Sequence, residues 1–268
     1  MRTAIIVTTY NRPDALDRVL ASIAAMAVQA TEVVVADDGS GDATARVVER
    51  WKNVLPLKHV WQSDEGFRAA EARNKAVLAS FSEYLLFLDG DCMVPSDFVF
   101  QHQYLAEKGC MLAGNRILLS EALTLEVIDG GLNPDDWGAH AWLRKKWQGG
   151  VNRLLPLFRL QDGSWRKWRP RRWQGIHTCN LGLWRQDFEA VNGFNQEFQG
   201  WGHEDADLAI RLMHYGIRRK DGVCAAPVYH LWHRENNRSR EAVNRARLMD
   251  VVAGKCPIRC QKGLTQDE

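Results

Sequence analysis

Two carboxylates, Asp89 and Asp91, flank a single glycine directly after the apolar run Tyr84-Leu85-Leu86-Phe87-Leu88. Such a run suits a strand buried on both faces, and Gly90 permits a sharp turn beyond it. The carboxylates then emerge at the carboxyl edge of a sheet, where open α/β sheets bind ligands. Paired hard oxygen donors there suit a divalent cation, and a cation there suits a phosphate. An acidic turn after a strand is also common as plain solvated surface. The pair gains meaning from its company: Asp37-Asp38-Gly39-Ser40, Glu204-Asp205-Ala206-Asp207 and His230. Acids in a first helical turn are favoured by the helix dipole, but three carboxylates in four positions exceed what that requires. Asp207 is spaced to orient Arg211 one turn later.

The elements that must hold these groups follow from hydrophobic pattern. Thr3–Thr8, Glu32–Ala36, Leu57–Trp61 and the run from Tyr84 read as strands. Helices follow from Pro13, which suits a first helical turn, from Asp42 to Lys52, and from near Phe67. Four strand–turn–helix repeats in the first 110 or so residues predict a parallel, doubly wound sheet with right-handed crossovers. Both acidic turns then share one edge. Further on, residues 178–184 read as a strand, 185–191 as a short helix, a helix starts at Glu204 and ends before Gly216, and 223–230 is a last strand ending in His230. The basic tail has a helical pattern up to Val252.

Composition narrows the function classes. Hydrophobic residues make up 46% of 268 residues, which excludes wholesale disorder. No apolar run approaches the ~18 residues of a membrane span. The N-terminal Met1-Arg2-Thr3-Ala4-Ile5-Ile6-Val7 reads as a strand rather than a signal peptide, which predicts a cytoplasmic protein. The six cysteines read as buried thiols; Cys256 and Cys260 lack a second close pair for zinc. There is no Gly-x-Gly-x-x-Gly after the first strand and no Walker A loop, which argues against dinucleotide redox enzymes and P-loop ATPases.

Residues 116–174 break the pattern and read as a Trp/Arg-rich helical insert. Trp137, Trp142, Trp147, Trp165, Trp168 and Trp173 lie there, and between Arg144 and Arg172 ten basic residues face the single acid Asp162. The bland interpretation is packed tryptophans and solvated bases. The functional one is a surface for an anionic, amphipathic partner: a membrane interface through residues 144–172, or sugar stacking with phosphate contact. Single-stranded nucleic acid uses similar combinations, but no nucleic-acid motif accompanies this one, so no nucleic-acid partner is expected.

Four motifs occur in order: Thr9-Tyr10-Asn11-Arg12-Pro13, Asp37-Asp38-Gly39-Ser40, Asp89-Gly90-Asp91 and Trp201-Gly202-His203-Glu204-Asp205-Ala206-Asp207. Together they resemble the family 2 glycosyltransferases of the GT-A fold, an α/β, Rossmann-like class with a mostly parallel sheet flanked by helices. From Asn192-Gly193-Phe194-Asn195 to His230 the chain is also similar to β-1,4-galactosyltransferases and bacterial chondroitin polymerase modules. The resemblance covers roughly residues 1–115 and 175–235. It implies a nucleotide-sugar half at 1–115, an insert at 116–174, an acceptor-binding and catalytic half at 175–235, and a tail at 236–268.

It also implies roles. Thr9 and Asp38 would hold the uracil and ribose of a UDP-sugar, with Tyr10 and Arg12 nearby. Arg68 would reach the diphosphate and Arg73 would brace the acidic turn. Asp89 and Asp91 match the DXD motif: Asp91 would bind Mn²⁺ or Mg²⁺, and Asp89 the ribose or a metal-bound water. His230 matches the histidine that completes the metal site, with His233 as the alternative. Asp205 would be the general base, Glu204 would bind an acceptor or donor hydroxyl, and Trp201 would stack on a sugar. His203 departs from the glycine usual in galactosyltransferases, which bears on the acceptor. One base and direct displacement imply inversion. The expected setting is a bacterial surface glycan, such as lipopolysaccharide or capsule, with a glycan or glycolipid acceptor at the inner membrane. The alternatives are a sugar-phosphate nucleotidyltransferase and a non-catalytic glycan- or membrane-docking module.

Overall fold

A computed structural model describes residues 1–234 and 238–266. Ten strands alternate with nine helices among these residues. The strands are β1 Thr3–Thr9, β2 Glu32–Asp37, β3 Leu57–Trp61, β4 Tyr84–Asp89, β5 Cys92–Met93, β6 Cys110–Ala113, β7 Asn115–Leu118, β8 Asn180–Trp184, β9 Arg218–Asp221 and β10 Pro227–His230. The helices are α1 Pro13–Ala24, α2 Asp42–Trp51, α3 Ala69–Ala79, α4 Phe98–Leu105, α5 Glu121–Asp129, α6 Ala139–Trp147, α7 Arg185–Ala190, α8 Glu204–Tyr215 and α9 Glu241–Val252.

The main sheet has seven strands in the order β3-β2-β1-β4-β8-β6-β9. β1 pairs in parallel with β2 and β4, and β2 with β3, as the strand–helix repeats predict. β8 runs antiparallel between β4 and β6, so the sheet is mostly parallel. A small second sheet, β5-β10-β7, stands beside it. Alternate residues of the central strands feed two cores. Ile5, Val7, Leu86 and Leu88 face one layer with α1; Ala4, Ile6, Leu85 and Phe87 face the other with α3 and α8. Burying both faces is what the continuous apolar runs require, at roughly 1.5–3 kcal/mol for each large side chain.

Several elements differ from expectation, among them the short strands β5, β6 and β7, which the sequence pattern does not announce. The last strand covers only Pro227–His230, because Cys224 upstream takes φ 54 in a turn. β9 was not expected, since its sequence Arg218-Arg219-Lys220-Asp221 has no apolar alternation. It is an edge strand whose buried Lys220 is neutralised by Glu107 at 3.2 Å and Asp162 at 2.7 Å. The insert is helical at α5 and α6, but 148–175 is mostly irregular with short 3₁₀ turns. Fully buried Arg166 anchors that irregular part by donating to the carbonyls of Asp221 and Val223 at 2.9 and 2.7 Å. The boundary expected between 235 and 236 lies outside the described residues.

The tail forms α9, which packs Leu248 and Val251 against Phe198 and Ile210. Asp207 meets Arg211 as its spacing predicts, with Oδ2 accepting from Nε and Nη2 at 2.9 and 2.6 Å. The pair is buried, and Arg211 also donates to the carbonyls of Val191 and Gly193. Arg211→Met should therefore cost about 3–5 kcal/mol, because it strands a buried carboxylate. A urea midpoint close to wild type would show that the pair contributes little.

Candidate active site

The acidic turn lies where the pattern places it, at the carboxyl end of β4 beside the end of β1. Gly90 donates its N–H to the Thr8 carbonyl at 2.7 Å. A Cβ at residue 90 would lie 2.9 Å from that carbonyl oxygen and 3.0 Å from the Thr9 side chain, so the turn needs glycine. Asp91 then faces three cationic or basic groups. His230 Nε2 is 3.7 Å from Oδ1, His233 Nε2 is 3.5 Å from Oδ2, and Arg12 Nη1 is 3.9 Å from Oδ2.

Both candidate histidines thus converge on Asp91. β10 delivers His230, held in register by β5 and β7. His233 Nδ1 lies 2.7 Å from the Arg234 carbonyl, which accepts and so leaves the Nε2 lone pair toward Asp91. Burial lowers the pKa of His230 against the opposing pull of Asp91, which favours the neutral, ligating imidazole. Potential ligand atoms of Asp91, Cys92 and His230 lie within 4.8 Å of one another. Cys92 is a poor member of that set, because burial pushes its thiol pKa well up. The Asp91 carboxylate and the His230 imidazole, with His233 as the alternative, are donors that suit a first-row divalent ion.

Arg73 joins this turn to the far half of the chain. Its side chain is buried, and it comes from α3. Nε donates to Thr8 Oγ1 at 2.9 Å and Nη2 to Asp89 Oδ1 at 3.2 Å. Nη1 reaches Glu204 Oε1 at 3.2 Å and Asp205 Oδ1 at 3.7 Å. Burial works against its charge, but Asp89, Asp205 and Glu204 together raise its pKa and keep it a cation. One guanidinium faces three carboxylates, so the site carries excess negative charge. Burial pushes the Asp89 carboxyl up to about 6 against the pull of Arg73. Burial and the neighbouring Asp205 push Glu204 up to about 7.

The acids at the start of α8 are aimed inward by backbone geometry. His203, just before the helix, adopts φ 76, a left-handed conformation costly for a residue with a Cβ. Asp205 is then fixed by Thr178, whose N–H and Oγ1–H donate to its two oxygens at 3.0 and 2.6 Å. Thr178 has no signal in the sequence beyond its place before a strand.

The second acidic turn lines a cavity of about 390 Å³. Tyr10, Asp38, Phe67 and Arg68 form one wall, and Trp201 and Arg240 the other. Asp38 accepts from Gln62 Nε2 and the Arg68 backbone N–H, each at 2.7 Å, while burial raises its pKa against them. Tyr10 Oη donates to Asp64 at 2.9 Å. The Arg68 guanidinium is held by Glu71 and Glu65 at 3.1 and 3.3 Å, so a diphosphate contact would require release from them. Thr9 Oγ1 and Arg12 Nη1 are buried without a hydrogen-bond partner among the described residues. A hydroxyl without a hydrogen bond, beside a guanidinium held only by long ion pairs to Asp91 and Asp14 at 3.9 and 3.7 Å, suits a polar, anionic ligand. Trp201 lies under the Arg238 guanidinium at 4.7 Å.

Comparisons with known proteins agree with this geometry. Residues 4–122 match the model for glycosyl transferase family 2, and residues 164–234 match that for the N-terminal domain of galactosyltransferase. The chain is 31% identical over 229 residues to validoxylamine A glucosyltransferase of Streptomyces hygroscopicus subsp. jinggangensis, covering 80% of this chain and 52% of that protein. It therefore spans about half the length of the curated relatives it matches first. A mannosyltransferase from Pyrobaculum calidifontis, solved with GDP-Man and Mn²⁺, superposes with TM-score 0.62 at 20% identity, over 95% of this chain and 63% of that one. Staphylococcus aureus TarS 1-349 in complex with UDP gives 0.59 at 18% identity, over 95% and 65%. Likeness at such identity establishes the fold, here GT-A. The two matched stretches are the two halves that Arg73 ties into one site: a family 2 glycosyltransferase domain at residues 4–122 and a galactosyltransferase-type one at 164–234.

Proposed function

We propose that the chain transfers a hexose or N-acetylhexosamine from a UDP-sugar to a glycan or glycolipid acceptor, with inversion, in bacterial surface polysaccharide or lipopolysaccharide synthesis. The observation that carries this reading is the convergence of His230 and His233 on Asp91, with Arg73 linking that turn to Glu204 and Asp205. Mn²⁺ and a nucleotide donor in the mannosyltransferase neighbour, and UDP in TarS, support it by analogy of fold.

Residues 1–115 bind the donor and 175–235 supply acceptor contacts and the base. Thr9, Tyr10 and Asp38 take the nucleoside in the cavity. Arg12, and Arg68 once released from its acids, take the diphosphate. Asp91 with His230, or His233 as the alternative, would hold Mn²⁺ or Mg²⁺, which would neutralise the charge growing on the departing diphosphate. Asp89 contacts the ribose or a metal-bound water. Trp201 stacks on a sugar face, and Glu204 accepts a sugar hydroxyl.

The step balances simply. The acceptor oxygen bonds to the anomeric carbon as the bond from that carbon to the diphosphate oxygen breaks. The acceptor proton moves to an Asp205 oxygen, and UDP carries away the bonding electrons. Thr178 orients Asp205 for this. A base so placed contributes about 10²–10⁴-fold. Attack opposite the leaving group inverts the anomeric centre.

The insert adds contact with an anionic membrane surface through residues 144–172, at the inner membrane. Leu143 and Trp147, one turn apart on α6, are 59% and 88% exposed beside Arg144 and Lys146. Among the described residues no helix is long and apolar enough to cross a membrane. The deciding measurement is hydrolysis of a panel of UDP-sugars with and without Mn²⁺, with GDP-mannose as contrast. One UDP-sugar should be hydrolysed in a metal-dependent way. A preference for GDP-mannose would sink the UDP assignment, and metal-free turnover would sink the metal assignment.

A further inference from the structure

Basic residues crowd the segment that runs into Thr178 and so to Asp205, and the donor and base assignments above use none of them. Between Asp162 and Asp187 the sequence contains Arg166, Lys167, Arg169, Arg171, Arg172 and Arg185 and no acid. Arg166, Lys167 and Arg185 have structural partners, and Arg185 lies at the opposite sheet edge. The side chains of Arg169, Arg171 and Arg172 are exposed and make no hydrogen bond or ion pair with any described residue. This stretch runs directly into His177 and then Thr178, which holds Asp205.

Two further cations lock onto the same place. Arg219 of β9 donates to the carbonyls of Arg172 and Gln174 at 3.2 and 3.0 Å, and its N–H binds the Pro170 carbonyl at 2.8 Å. That pins the basic loop beside the cleft. Arg116 of β7 lies in register with Val228, two residues before His230 on β10. Its side chain therefore leaves the small sheet on the face that carries His230. It is half-buried and has no hydrogen-bond or ion-pair partner among the described residues. The fields agree with this placement. Burial lowers the His177 pKa, Asp205 opposes that, and Arg116 and Arg219 reinforce it. Burial likewise lowers the Arg219 pKa, Asp221 opposes that, and Arg172 and Arg169 reinforce it as like charges.

Cations held this closely repel one another, and although Asp221 lies 3.5 Å from Arg219, the side chains of Arg116, Arg169, Arg171 and Arg172 have no acid partner among the described residues. We propose that Arg116, His177 and Arg172 form an acceptor subsite for an acidic glycan, one carrying a carboxylate or phosphate within a residue or two of the attacked hydroxyl. Trp168, 80% exposed in the same loop, offers a face for the adjoining sugar. A glycan fits better than a lipid surface here, because half-buried Arg116 stands on the sheet face that carries His230, where a flat bilayer has poor access. The proposal rests on the glycosyl-transfer reading and names its acceptor class.

The test is binding by the full chain in the presence of UDP and Mn²⁺. The probes are a glucuronate-containing tetrasaccharide, the same tetrasaccharide with its carboxyl groups reduced to alcohols, and a sugar phosphodiester oligomer. At least one acidic probe should bind about tenfold tighter than the neutral one at low salt, the worth of one charged hydrogen bond. Which of the two leads identifies carboxylate or phosphate. Arg116→Gln and Arg172→Gln should each erase most of that preference and leave UDP affinity unchanged. Equal binding of charged and neutral probes, or UDP binding with no binding of any probe, overturns the subsite. So does loss of phosphatidylserine-vesicle binding in both variants with no change toward the oligosaccharides, which would assign these cations to lipid. Failure to bind UDP at all is a different result and overturns the proposed function instead.

Discussion

Asp205→Asn is expected to lower turnover by about 10²–10⁴-fold while UDP affinity stays within about twofold. The substitution keeps the shape of the side chain and removes its ability to take the acceptor proton. Asparagine still accepts one hydrogen bond from Thr178, and the Thr178 hydroxyl can rotate to accept from the new amide. The fold cost is then about one hydrogen bond, roughly 0.5–1.5 kcal/mol. Arg73 retains Asp89 and Glu204, so the donor side remains braced. The variant separates chemistry from architecture. A thermal midpoint that falls together with UDP binding would reduce Asp205 to a helix-end support. Unchanged turnover would move the base elsewhere, with Glu204 next in line because burial already raises its proton affinity.

Asp91→Ala is expected to abolish Mn²⁺-dependent transfer and to weaken UDP binding only when metal is present. Asp91 is the carboxylate on which His230 and His233 converge, so its loss leaves two imidazoles without the anionic donor that centres them. Loss of a ligand's supporting partner alone costs about 10–100-fold in metal affinity, and loss of a ligand costs at least that. Calorimetry of UDP with and without Mn²⁺ reads both effects at once. In metal-free buffer the variant should bind UDP no worse than wild type, because Arg12 is then freed from Asp91 to face the diphosphate. Full activity with Mn²⁺ would remove Asp91 from the site.

Much of this architecture is legible from residue pattern, for identifiable reasons. β1, β2 and β4 are buried on both faces, so their apolar runs and polar ends mark both the strands and the turns at their carboxyl edge. The acids at residues 37–38 and 89–91 follow directly. β9 is illegible because it is an edge strand paired on one side, and charge networks rather than apolar alternation hold it. The role of Arg73 toward Glu204 is illegible for another reason. Those residues are 131 positions apart, and a contact at that range depends on how helices pack. Thr178 is hidden in the same way. His230 and His233 could not be separated by spacing, and the fold brings both to the same carboxylate.

The antiparallel strand β8 has a consequence for how the molecule assembles. β4 lies between β1 and β8, and β8 is made only after the whole insert has been synthesised. Until then the nascent chain presents Tyr84 through Leu88 as an open apolar edge, the kind of surface that recruits other chains. Thr178, which holds Asp205, stands two residues before β8 begins. Zipping the last central strand into place and seating the base are therefore a single late event. A ribosome-bound intermediate that has made the acidic turn already holds half of the site but has no means of using it.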